Sequence, residues 1–191
     1  MIKKTFRRFF LVVVFVMVML IAAAAVRQSW RAYYKAAYPV DYGDIVLTQS
    51  ERCNVPPALV FAVIRTESGF NPSAQSSVLA RGLMQITPDT FEWAKFRVKE
   101  EADLTFEDLY DSEINIRYGN EILRLLLDEF GSEENALCAY HAGWGNAKKW
   151  LNNPEYTPNG YQIENIPFGN TSRYVKKVMQ TKAIYEKLYN Y

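Results

Sequence analysis

The sequence predicts a mostly α protein: one helical domain preceded by a single N-terminal transmembrane helix. Apolar residues recur at helical spacing through most of the chain, and strand-like alternation is nearly absent. Residues 9–26 form an unbroken apolar run. A length of 191 residues allows one ordinary domain plus an appendage, and the composition, with 13 Tyr and 11 Phe, is globular. The net charge of +1 is unevenly placed. Without Lys3, Lys4, Arg7 and Arg8, the 22 basic and 21 acidic residues become 18 against 21, a net of −3. A mildly acidic body excludes nucleic acid as a partner, because counterion release needs a basic face.

Taken in order, residues 1–8 are a basic cytoplasmic tail. Residues 9–26 are just long enough to cross a bilayer, and the preceding positive charge keeps the N-terminus inside and places the body outside. The small residues Ala22 to Ala25 also suit cleavage as a signal peptide, which would release a secreted body. Because the run continues through Val26, a retained single-pass anchor in the cell membrane is the reading adopted. Residues 27–44 have little apolar periodicity and read as a stalk ended by Pro39 and Gly43.

The folded body is expected over 45–191, beginning with a helix at 45–52. After Asn54-Val-Pro-Pro57 comes a strongly apolar helix to Glu67. Residues 69–85, with Asn71-Pro72, several serines and Gly82, form a loop long enough to imply a function. Thr87-Pro88 opens the next helix as N-cap and first turn. Asp111-Ser-Glu113 starts a long helix whose Ile114, Tyr118, Ile122, Leu125 and Leu126 share a face, and Gly131 ends it. Ser132 caps a helix through Ala142. A short helix at 146–151, a loop at 152–170 and a closing helix at 171–189 complete the chain.

Glu67 stands out. Val60, Val63, Ile64 and Glu67 lie at i, i+3, i+4 and i+7, so the carboxylate shares the buried stripe at the negative end of its helix. Both effects raise its pKa, as a general acid working near neutral pH requires. The plainer alternative is a structural ion pair with an arginine such as Arg65 or Arg81. Cys53 and Cys138 lie in or beside apolar helical segments. Export permits a disulfide between them, and burial as free thiols is the competing expectation. With His141 the only histidine, no metal-ligand cluster is expected, and there is no Gly-rich phosphate loop.

Three segments then line up: Glu67-Ser-Gly-Phe-Asn-Pro72, Gly82-Leu-Met-Gln-Ile-Thr-Pro88 and Ala139-Tyr-His-Ala-Gly143. In order and spacing they resemble the catalytic domain of the soluble-lytic-transglycosylase type, glycoside hydrolase family 23. Asp111-Ser-Glu-Ile-Asn-Ile-Arg117, Pro167-Phe168 and Tyr174-Val-Lys-Lys177 add to the likeness, which spans about residues 45–184. The resemblance implies a lysozyme-like α fold with Glu67 as catalytic acid/base and Ser68 helping to orient it. It places Gly82, Leu83, Met84 and Gln85 on the floor of a sugar cleft, with Gln85 bonding near the scissile linkage, and Tyr140 and Tyr174 near the glutamate. Met84 fits a plain apolar contact equally well, and Tyr140 a core aromatic with its hydroxyl satisfied.

The implied reaction cuts peptidoglycan between N-acetylmuramic acid and N-acetylglucosamine without water or cofactor, closing a 1,6-anhydro ring. The implied partners are glycan strands, the membrane, and cell-wall machinery of unspecified kind. Two departures stand out. His141 occupies the place of the usual asparagine, and Asn170-Thr171 that of a usual Glu-Thr pair. If His141 faces the cleft, its charge would hold Glu67 ionised, so activity should fall at mildly acidic pH and His141→Asn should relieve it. A lysozyme-like muramidase would need a second carboxylate, with Asp89 and Asp103 the candidates. An inactive peptidoglycan-binding scaffold is the alternative outside enzymology.

Overall fold

A computed structural model describes residues 2–99 and 103–191, with side chains of the N-terminal segment described from residue 7 onward. Met1 and the side chains of Lys3 and Lys4, half the charge of the expected basic tail, lie outside the described residues. The chain divides into two units, Met1–Pro39 and Val40–Tyr191.

The first unit is one helix, α1 (Ile2–Ala37). It passes unbroken through the apolar run and into the segment expected as a stalk, ending at Ala37 ahead of Pro39. Its apolar side chains are exposed, with Phe15 and Leu20 each 65% accessible. At 1.5 Å per residue the run of 9–26 is about 27 Å long, close to the thickness of a bilayer's hydrocarbon core. Beyond it, the rings of Trp30, Tyr33 and Tyr34 contact one another at centroid distances between 5.8 and 6.4 Å.

The second unit contains α2 (Gly43–Cys53), α3 (Pro57–Glu67), α4 (Pro88–Val98), a 3₁₀ turn (Phe106–Tyr110), α5 (Ser112–Phe130), α6 (Glu133–Ala142), α7 (Trp144–Leu151) and α8 (Gly169–Tyr189). No strand occurs among the described residues. The caps expected at Thr87 and Ser132 are made, and Asp111, expected at the start of its helix, proves to be a cap as well. The Thr87, Asp111 and Ser132 side chains accept from backbone N–H groups of the helices they precede. Gly131 ends α5 with φ of 71°.

The core is organised around α3. A stripe was expected, but Ala58 to Ile64 are all at most 1% exposed, so this helix is buried on every side. It packs most extensively along α8, where Phe61 stacks on Tyr185 at 5.4 Å, and also meets α2. Glu67 is therefore delivered to the surface of the core by the most rigidly surrounded helix of the unit. The 69–86 segment has no helix or strand, only antiparallel bridges pairing Gln75 with Arg81 and Arg81 with Ile86. Cys53 and Cys138 are free and buried on α2 and α6, and burial pushes the Cys138 thiol up to about 12.

Candidate active site

Glu67 is the last residue of α3 and half-buried. Its pKa is raised to about 7, chiefly by desolvation. The Tyr174 hydroxyl and the charge of Lys177, both on α8, oppose the rise without cancelling it. Arg81 is not the partner: it forms an ion pair with Glu107 at 2.6 Å and lies over the rings of Phe106 and Tyr110 at 4.3 and 5.1 Å. Ser68 caps α3, its hydroxyl donating to the Ile64 carbonyl at 3.1 Å. Ser68 therefore bonds the helix end and not the Glu67 carboxylate.

The 82–85 turn is built on a buried asparagine that the sequence reading left without a role. Asn115, wholly buried on α5, accepts from the Met84 N–H at 2.8 Å and donates to the carbonyls of Arg81 and Leu109 at 3.0 and 2.8 Å. Gly82 has φ of 73°, and a Cβ there would stand 2.1 Å from Asn115 Nδ2 and 2.4 Å from the Leu109 carbonyl. Glycine is thus required twice over, by conformation and by space. Leu83 and Met84 are wholly buried, and the Met84 sulfur fills the space a Cβ on Gly119 would take. Their side chains belong to the core, so any sugar contact from these two residues would run through the backbone.

Gln85 is half-buried at φ of 47°. Its amide donates to the carbonyls of Ala74 and Gly82 at 3.1 and 3.0 Å. Both donors are spent on its own loop, leaving the side-chain oxygen as the group for a ligand. Tyr140, half-buried at the end of α6, donates to the Met84 carbonyl at 2.6 Å. Its hydroxyl is thus satisfied within the protein, while burial and the Glu67 charge raise its pKa. A cleft of about 210 Å³ is lined by Gln85, Asp89, Trp93, Tyr140 and Trp144 among others. Tyr140 belongs to both neighbourhoods, since its ring lines the cleft and its phenol feels Glu67. Trp93 and Trp144 are missing from the sequence-based site. The available signal was a Trp five residues beyond the start of the helix that follows the Gln85 turn and another directly after Gly143.

His141 is exposed, with Nδ1 joined to Thr171 Oγ1 at 3.0 Å and its ring 4.5 Å from that of Tyr174. Burial of part of the ring lowers its pKa. His141 is not among the groups that shift Glu67, whose opposing influences are Tyr174 and Lys177. Asn170, in the first turn of α8, accepts from the adjacent Thr171 N–H at 3.0 Å. Asp89 is exposed in the first turn of α4, and Asp103 is exposed ahead of the 3₁₀ turn. Among the described residues no three of His, Cys, Asp or Glu converge as a metal-holding set.

The transglycosylase SLT domain family matches residues 44–162. The soluble lytic murein transglycosylase of Escherichia coli K12 is 32% identical over 150 residues, covering 78% of this chain and 23% of the relative. Membrane-bound lytic murein transglycosylase C of Edwardsiella ictaluri is 29% identical over 168 residues, covering 77% and 47% respectively. Among solved structures, an inactive glutamate-to-glutamine mutant of the lytic transglycosylase Slt of Pseudomonas aeruginosa superposes with a TM-score of 0.72 at 27% identity, covering 82% of this chain and 25% of that one. The chain spans about a quarter of the length of the first of these relatives.

Proposed function

The chain belongs to the transglycosylase SLT domain family, and from that premise we propose that it is a peptidoglycan lytic transglycosylase. The observation that carries this reading is one carboxyl group, Glu67, whose pKa of about 7 suits it to give a proton and take one back. Among the described residues no second carboxylate contributes to that shift.

In the proposed reaction neutral Glu67 gives its proton to the glycosidic oxygen between N-acetylmuramic acid and N-acetylglucosamine. The bond from the anomeric carbon to that oxygen breaks, and the muramyl acetamido carbonyl assists at the anomeric carbon. Ionised Glu67 then takes the proton of the sugar's 6-hydroxyl, whose oxygen attacks the anomeric carbon and closes the 1,6-anhydro ring. Glu67 ends protonated, ready for another turn, and no water is consumed. The Tyr174 hydroxyl favours the ionised, base-competent form. Trp93, Trp144 and Tyr140 offer aromatic faces to sugar rings, and the Gln85 side-chain oxygen offers an acceptor. The relatives' names specify lytic murein transglycosylases, and a glutamate-to-glutamine mutant of one is inactive.

A membrane-bound relative and an N-terminal helix long enough to cross a bilayer support membrane association. We read α1 as a retained single-pass anchor with residues 1–8 cytoplasmic and the body on the far side, acting on glycan near the membrane. Incubating residues 27–191 with purified peptidoglycan, followed by mass spectrometry, tests the chemistry. Muropeptides one water lighter than hydrolytic products are expected, and none with Glu67→Gln. Reducing muramic ends would mean a muramidase, and no release by the unaltered protein would favour a binding scaffold.

A further inference from the structure

We propose that His141 is a positioning residue, its ring tied to Thr171 and laid on Tyr174 so that the Tyr174 hydroxyl stays directed at the Glu67 carboxylate. This rests on the transglycosylase reading and adds to it a residue that acts through another. Four observations meet here. The His141 ring lies 4.5 Å from the Tyr174 ring at an interplanar angle of 34°. Its Nδ1 is joined at 3.0 Å to Thr171 Oγ1, which belongs to the wholly buried first turn residue of the same helix that carries Tyr174. Tyr174 is 8% exposed, and its hydroxyl makes no hydrogen bond of full geometry within the protein. That hydroxyl nevertheless lies close enough to Glu67 to favour its ionised form.

A phenol buried without a partner is costly, and the costs fall when a carboxylate beside it becomes charged and accepts its proton. The donor is useful only if the ring cannot swing away. On one side Tyr174 is held by the packing of α8 on α3. On another the imidazole covers it, and the bond to Thr171 fixes the rotation of the imidazole itself. His141 exerts this effect through its ring contact and its bond to Thr171, neither of which needs a charge on the imidazole. The titratable and charged groups around Glu67 are Tyr140 from α6 and Tyr174 and Lys177 from α8. An asparagine in place of His141 can bond Thr171 but has no ring to lay on Tyr174.

The test is the titration of Glu67 in the full chain in detergent micelles, followed by the ¹³C resonance of labelled glutamate side chains and assigned by its loss in Glu67→Gln. In His141→Ala the Glu67 midpoint should rise by about half a unit, roughly a threefold change in the ratio of ionised to neutral carboxyl at fixed pH. His141→Phe, which keeps a ring but not the bond to Thr171, should move it less. In a Tyr174→Phe background His141→Ala should add nothing, as a residue acting only through Tyr174 requires. An unmoved midpoint in folded His141→Ala, or a shift that persists undiminished without the Tyr174 hydroxyl, would overturn the proposal. If His141→Ala loses its dispersed spectrum, Thr171→Val gives the same reading by freeing the imidazole. The titration needs no turnover, so an unaltered chain that fails to cut peptidoglycan would count against the transglycosylase reading alone.

Discussion

Glu67 and the 82–85 turn are held in place by opposite kinds of force. The helix behind Glu67 is apolar and enclosed on all sides, with Ala58 to Ile64 almost wholly inaccessible. The turn is held by directed bonds. Asn115 takes three backbone partners, Tyr140 bonds the Met84 carbonyl, and Gly82 leaves the space those bonds need. Packing spreads its effect over many neighbours, so trimming one methyl is felt in proportion to the volume lost. A buried polar clamp is all or nothing, since removing its centre strands every partner without water.

The sharpest probe of that contrast is a pair of substitutions measured by denaturant unfolding of the body. Asn115→Leu strands the Met84 N–H and two carbonyls, and should cost about 4 kcal/mol at a rough 1–2 kcal/mol for each stranded group. Ile64→Val removes one methylene from the most enclosed helix and should cost about 1 kcal/mol. Similar costs for the two would break the comparison, for the turn would then be held by packing after all.

The same contrast decides how much was legible in the sequence. The α3 helix could be read because its cause is local. A proline in its first turn, an apolar run and a terminal carboxylate all lie within eleven residues. The caps at Thr87, Asp111 and Ser132 are local for the same reason. Asn115 could not be given its role, because its partner Met84 is 31 residues away and nothing in a single sequence links them. Tyr140 was legible as a residue near the site, but the 2.6 Å bond spending its hydroxyl on Met84 spans 56 residues. Gln85 was placed rightly on the turn, yet its amide donors turn inward to backbone carbonyls that only the folded loop brings near.

At Glu67 apolar packing carries a liability, which gives the next prediction. Its pKa in the folded protein is about 7, raised by burial from 4.5. A raised folded value means that the native state holds the proton more tightly than the unfolded chain. The stability this confers is complete below about pH 4.5 and is lost as pH rises through about 7. Glu67→Gln has no such proton to lose. The mutant should match the unaltered body near pH 4 and exceed it above pH 8, by up to about 3 kcal/mol on the shift given. Parallel stability–pH curves for the two proteins would mean that Glu67 is solvated and that the α3 enclosure does not reach its last residue.

The smallest effect is expected at the far end of the loop, where there is neither apolar enclosure nor a wholly buried polar clamp. Leu79 has φ of 63° and is 53% exposed, at the tip of a tight turn in which Leu79 N–H donates to the Ser76 carbonyl and Ala80 N–H to Ser76 Oγ, each at 3.0 Å. A leucine in that conformation costs about 1–2 kcal/mol, and its half-exposed side chain recovers little by burial. Glycine removes the strain but loses about 0.5–1 kcal/mol of chain entropy on folding. Leu79→Gly should therefore stabilise the body by about 0.5 kcal/mol, whereas Leu79→Ala, which keeps the strain, should not stabilise it. A melting temperature that rises for glycine alone would separate the strained tip from the clamped 82–85 turn. A loss of stability in Leu79→Gly would instead mean that the leucine side chain is packed, and that the enclosure typical of α3 extends to this loop.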